Sequence, residues 1–124
     1  MILRDNLFNI ASLQELDGST IFEVHLHPEW PIYQAHFPGH PITPGVCIVQ
    51  MVQELLEWYL QRKLTLRQAK NIKYVSIVSP EEITDLTVTF SRIENQHDGS
   101  MKVQAQVTNG ESLCTKLSVT FADF

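Results

Sequence analysis

PGVCIVQMVQELLEWYLQRK, residues 44–63, is the stretch on which the fold turns. Val46, Ile48, Val49, Val52, Leu55, Leu56, Tyr59 and Leu60 recur at helical spacing. With Pro44 placed just ahead, the pattern predicts a helix from about Gly45 to Lys63. Apolar residues cover most of its circumference, so this helix should be enclosed rather than laid on a surface. Its polar remainder is one narrow stripe, Gln50, Gln53, Glu54 and Glu57, four positions that share a face.

Whatever encloses the helix must come from the rest of the chain, which reads as strands. Asp17-Gly18, Asp98-Gly99 and Asn109-Gly110 are dipeptides that supply positive φ in tight hairpins. Each separates alternating segments. Phe22, Val24 and Leu26 alternate with Glu23, His25 and His27, and Leu86, Val88 and Phe90 with Thr87 and Thr89. Met101, Val103, Ala105 and Val107 repeat the pattern, as do Leu117, Val119 and Phe121. Three hairpins and one interposed helix predict an α+β fold: an antiparallel sheet curved around a central helix.

The totals narrow the function. A chain of 124 residues with 44% hydrophobic content suffices for one compact domain, residues 1–124, and not for two ordinary ones. A net charge of -5 argues against a general nucleic-acid binder, whose affinity rests on surplus Lys and Arg. Cys47 and Cys114 lie in apolar runs without metal-ligand spacing, and the leading MILRDNLFNI lacks the features of a signal peptide. No apolar stretch approaches the roughly 20 residues that span a bilayer. A soluble protein of the reducing cytoplasm is expected.

One segment carries a resemblance. HFPGHPITPGVCIVQMVQE, residues 36–54, resembles the signature of the 3-hydroxyacyl-acyl carrier protein dehydratases of fatty acid synthesis, in which His-Phe-Pro-Gly-x-Pro-x-x-Pro-Gly-Val leads into an acid-bearing helix. KYVSIVSPEEITDLTVTF (73–90) and MKVQAQVTNGESLCTKLSVTF (101–121) are similar to the family's later strands, so the likeness covers most of the chain. It implies the hot-dog fold, in which a curved sheet wraps a long helix and chains pair into dimers with sites across the interface. It also implies that His36 is the base that takes the proton beside a thioester carbonyl. Gly45, with Val46 after it, would bind substrate there, because the first N–H groups of a helix lack internal partners and carry positive partial charge. Such donors stabilise an enolate as it forms. Pro38, Pro41 and Pro44 would stiffen the loop around His36. No metal or redox cofactor is implied, because the thioester itself acidifies the proton.

The chain departs from that signature at the acid. Fourteen positions after the histidine stands Gln50, and one turn later, where the family usually has glutamine, stands Glu54. Glutamine hydrogen-bonds a hydroxyl or a water but has no proton to release. Four residues along a helix displace a carboxylate by about 6 Å on nearly the same face, so Glu54 does not simply inherit the role. Three arrangements stay open: Glu54 acting in a remodelled pocket, Gln50 orienting a water while His36 makes both proton transfers, and a partner subunit supplying the missing carboxylate.

Other candidates rank lower. His40 fills the variable slot of the motif and reads as an exposed or tunnel residue, and His25 and His27, with Glu23 on the same strand face, lack a third metal ligand nearby. Arg62, Lys63, Arg67, Lys70 and Lys73 are five of the nine basic residues. They read either as helix termination or as a docking patch for an acidic acyl carrier protein. Trp30, Tyr33, Trp58 and Tyr59 read as core or as tunnel lining. The expected function is dehydration of a 3-hydroxyacyl thioester by at least a homodimer, with thioester hydrolysis and a non-catalytic or heterodimer subunit as rivals.

Overall fold

In the computed structural model, which describes residues 2–35 and 42–124, the chain runs β1 (Phe8–Leu16), β2 (Ser19–Leu26), α1 (Pro31–Ala35), α2 (Gly45–Leu60), β3 (Leu64–Tyr74), β4 (Asp85–Asn95), β5 (Met101–Asn109) and β6 (Ser112–Asp123). The six strands form one antiparallel sheet in the order β1-β2-β4-β5-β6-β3. The three expected hairpins join β1 to β2, β4 to β5 and β5 to β6. Asp17 (φ 51), Gly18 (φ 79), Gly99 (φ 88) and Gly110 (φ 58) adopt the left-handed backbone those turns require.

The alternation delivers its inward faces. Phe22, Val24, Leu26, Leu86, Val88, Phe90, Met101, Val103, Ala105, Val107, Leu117, Val119 and Phe121 are all buried. They form one cluster with Cys47, Ile48, Met51, Val52, Leu55 and Leu56 of α2. Each large apolar side chain withdrawn this way contributes about 1.5–3 kcal/mol. Phe22 organises one end, meeting Trp58, Tyr59 and Phe90 edge-on at centroid distances of 6.0, 6.4 and 6.0 Å. This arrangement, a curved antiparallel sheet against one long helix, is the hot-dog fold.

Three features differ from the expectation. The helix stops at Leu60 rather than Lys63, because Gln61 turns left-handed (φ 57) and its N–H caps Glu57 O. The basic run therefore does not terminate the helix. It continues into β3, an edge strand that the pattern did not announce, on which Arg67, Lys70 and Lys73 are exposed. The pairing of β3 with β6 skips Arg67 and Lys70, so each is an extra residue that resets the period of two. Finally, the short helix α1 leads into the motif. Among the described residues no helix is long and apolar enough to cross a membrane.

Candidate functional site

His36, Pro38, His40 and Pro41 lie outside the described residues. The chain on either side of them is tied together. Tyr33, fully buried on α1, shares a hydrogen bond of 3.0 Å with the hydroxyl of Thr43, itself 4% exposed. The Thr43 N–H donates to Val78 O at 2.8 Å, and the Tyr33 N–H to Trp30 O at 3.0 Å. The motif loop thus starts and ends at two posts joined through a buried hydroxyl pair. Burial pushes the Tyr33 phenol up to about 12, against the opposing pull of its bond to Thr43.

From Thr43 the chain enters α2 through Pro44, which offers no side-chain cap. Its carbonyl accepts the N–H groups of Cys47 (2.9 Å) and Ile48 (3.2 Å). Those of Gly45 and Val46 have no partner among the described residues. Gly45 borders a cavity of about 370 Å³ formed by Ile42–Gly45, Ile48 and Tyr74–Val78. The ring of Tyr74 lies directly over it, so a Cβ at position 45 would sit 2.7 Å from Tyr74 Cζ. Only glycine admits that approach. Burial raises the Tyr74 phenol above its ordinary range. An acyl carbonyl placed in this cavity would meet the amino end of the helix, where no acceptor competes among the described residues, the arrangement that stabilises negative charge on oxygen.

The polar stripe of α2 is almost wholly committed to backbone. Gln53 Nε2 donates to Leu64 O (3.0 Å), and Leu64 N–H donates to Glu57 Oε2 (2.8 Å), fixing the start of β3. Glu54, 7% exposed, accepts the N–H of Leu3 on Oε1 and Oε2 (2.9 and 2.8 Å) and that of Arg4 on Oε1 (2.7 Å). Gln50 Nε2 donates to Glu54 Oε2 at 2.9 Å. These groups border an open cleft of about 690 Å³, lined by Ile2, Arg4, Gln50, Glu54, Trp58 and Phe124 among others.

Gln50 and Glu54 are therefore brought into direct contact, with Val46 (74% exposed) heading the same helix face. Gly45 faces a different cavity, one turn further up. Arg62 pairs with Asp123 at 3.1 Å, whereas Arg67, Lys70 and Lys73 lie along the exposed edge strand. His25 pairs with Asp85 (2.9 Å) and His27 with Glu29 (3.3 Å). Among the described residues, no three His, Cys, Asp or Glu side chains are grouped to hold a metal ion. Trp30, Trp58 and Tyr59 pack half-buried against the core. The residues sequence reasoning did not single out are Thr43, Tyr74, Leu3 and Arg4. A threonine inside a proline-rich motif was a usable signal for the first; nothing local marks the others.

Known proteins resemble this chain at two levels, family and fold. The model of a family described as ApeI-like, ApeI dehydratase, matches residues 12–115. Among curated relatives, the 3-hydroxyacyl-acyl-carrier-protein dehydratase FabZ of Clostridium acetobutylicum is 27% identical over 93 residues, 62% of this chain and 66% of that one. The FabZ of Sulfurovum sp. is 32% identical over 89 residues, covering 72% and 49%. The chain thus spans between about half and just under two thirds of these relatives' own length. Among solved structures, the dehydratase heterocomplex ApeI:P from Xenorhabdus doucetiae aligns with a TM-score of 0.68 at 12% identity, covering 91% of this chain and 96% of that one. A thioesterase of Staphylococcus aureus aligns at 0.59 and 14% identity, covering 97% and 95%. At such identities the structures speak for the fold alone.

Proposed function

The chain belongs to the ApeI-like dehydratase family, and on that premise we propose that it removes water from a 3-hydroxyacyl thioester to give the trans-2-enoyl thioester, in fatty acid or related lipid or polyene synthesis. The observation that carries the reading is the cavity at the amino end of α2, bordered by Gly45, whose N–H, like that of Val46 after it, has no partner among the described residues. A thioester carbonyl seated there gains hydrogen bonds as its oxygen becomes an enolate. His36, three residues beyond the Tyr33 post, takes the proton from the adjacent carbon. Gln50 holds the departing hydroxyl, or a water hydrogen-bonded to it, through its amide, and His36 returns the proton it has taken to that hydroxyl, which leaves as water while the carbon–carbon double bond forms.

Within one chain the Gly45 cavity and the Gln50 cleft are separate, so the reaction site is assembled across a dimer in which one copy supplies His36 and Gly45 and the other Gln50. Exposed Val46, Tyr74, Val75 and Ile77 and the open edge of β3 support such pairing. The substrate arrives on an acyl carrier protein, for which Lys63, Arg67, Lys70 and Lys73, with Arg62, form a basic approach on an otherwise acidic molecule.

A second reading is favoured by Gln50 standing where a proton donor is expected: a subunit that works beside a different chain bearing the carboxylate; ApeI:P, for its part, is named a dehydratase heterocomplex. Incubation with a 3-hydroxyacyl thioester while enoyl absorbance and free thiol are followed together separates the readings. Enoyl formation supports dehydration, thiol release identifies a hydrolase, and silence of the pure chain identifies the subunit.

A further inference from the structure

Glu54 sits on the open face of α2, yet its carboxylate is turned away from solvent and meets donors only: the N–H groups of Leu3 and Arg4, and the amide nitrogen of Gln50. We infer that Glu54 is a positioning residue rather than the proton donor: it fixes the orientation of the Gln50 amide and fastens the Leu3–Arg4 segment that borders the Gln50 cleft. This rests on the dehydratase reading above and assigns the part Glu54 plays in it.

The argument follows from donor and acceptor inventories. The Gln50 group that faces the Glu54 carboxyl is the nitrogen, which donates to Oε2, so the amide oxygen is directed away from it. Glu54 can impose that choice because it is itself held by two backbone N–H groups fifty residues away in sequence, and a buried carboxylate requires such donors. A substrate hydroxyl or bound water at Gln50 therefore meets an amide whose two ends are already distinguished. Both Glu54 oxygens are taken by these three donors although the residue borders the cleft, so its effect on the reaction passes through Gln50. The exchange of glutamine and carboxylate between positions 50 and 54 becomes intelligible: the acid has become the anchor, and the amide the group that faces substrate.

The test compares wild type, Glu54→Gln and Glu54→Ala by turnover of a 3-hydroxyacyl thioester across pH, and by hydrogen exchange at the Leu3 and Arg4 amides. Glu54→Ala is expected to speed exchange at both amides and to lower kcat by about 30-fold with KM within about 3-fold, because a misdirected reacting group costs turnover more than binding. Glu54→Gln keeps an acceptor oxygen and should recover to within about 5-fold of wild type with both limbs of the pH profile in place. A Glu54→Gln protein as inactive as Glu54→Ala while Leu3 and Arg4 remain protected, or one that loses a limb of the profile, overturns the inference and makes Glu54 the acid. Unprotected Leu3 and Arg4 amides in wild type overturn the clamp itself. A wild type that yields no enoyl product, with those amides protected, refutes the dehydratase reading instead.

Discussion

Replacing Tyr33 by phenylalanine removes a single oxygen from a fully enclosed position and leaves the Thr43 hydroxyl, in a residue 4% exposed, without its 3.0 Å partner. An unsatisfied buried hydroxyl costs about 1–3 kcal/mol, so Tyr33→Phe should destabilise by about 2 kcal/mol, and Thr43→Val by a similar amount through the stranded phenol. For a chain of this length that is a fall in Tm of roughly 8 °C. The double variant removes both partners and should cost less than the sum, with a coupling of about 1–2 kcal/mol. The phenol adds a pH signature. Its folded pKa of about 12 lies above the ordinary 10.0, so the native state keeps a proton that the unfolded chain has already lost. That stabilisation is complete below pH 10 and disappears as pH rises through 12, a loss of about 3 kcal/mol at 1.36 kcal/mol per unit. The advantage of wild type over Tyr33→Phe should therefore vanish between pH 10 and 12. Urea unfolding followed by tryptophan fluorescence at neutral and alkaline pH measures both. Strictly additive single variants, or a gap that is constant with pH, would refute the idea that a buried hydroxyl pair ties the ends of the motif loop.

Gly45→Ala must displace the Tyr74 ring, and because Tyr74 is half-exposed the ring can move. Stability should change by less than about 1 kcal/mol while turnover falls at least about 10-fold, read by calorimetry and enoyl absorbance. Charge reversal at Arg67 and Lys70 should raise KM about 10-fold for carrier-linked substrate only, with coenzyme A-linked substrate as the control and with weaker salt dependence. Gln50→Glu brings a second carboxylate against Glu54, and two such groups cannot both ionise at contact. One carboxyl then holds its proton to higher pH when folded than when unfolded, so the variant should lose stability as pH rises from 4 to 8, measured by Tm. If the native site lacks only an acid, its enoyl formation should exceed that of wild type.

The hairpins and the helix were legible because each is encoded within a few residues: an Asp-Gly or Asn-Gly pair that tolerates positive φ, and an apolar period that survives to the end of the element. β3 was not, since the extra residues Arg67 and Lys70 reset its period and its outer face is wet, leaving LTLRQAKNIKY with no pattern to read. In β4 the pairing skips Ser91, which moves the next inward position to Ile93 after Phe90. The motif pointed to Gly45, whose need for an absent side chain is visible in Tyr74. It also marked Gln50 and Glu54 as a pair. Their mutual bond, and the capture of Leu3 and Arg4 by Glu54, join segments some fifty residues apart, and no local pattern reports which amide will reach a given carboxylate.

The two inserted cations on β3 have a consequence for how the chain behaves in a crowd. A straight, apolar sheet border is a template onto which any stray extended segment can add, and from which fibrils grow. Here the border is kinked twice, and at each kink a positive side chain stands where a stacking neighbour would need a flat ledge. Indiscriminate recruitment is thereby discouraged without capping the strand. Deleting both residues would restore an unbroken alternation and, with it, the hazard of self-propagating assembly.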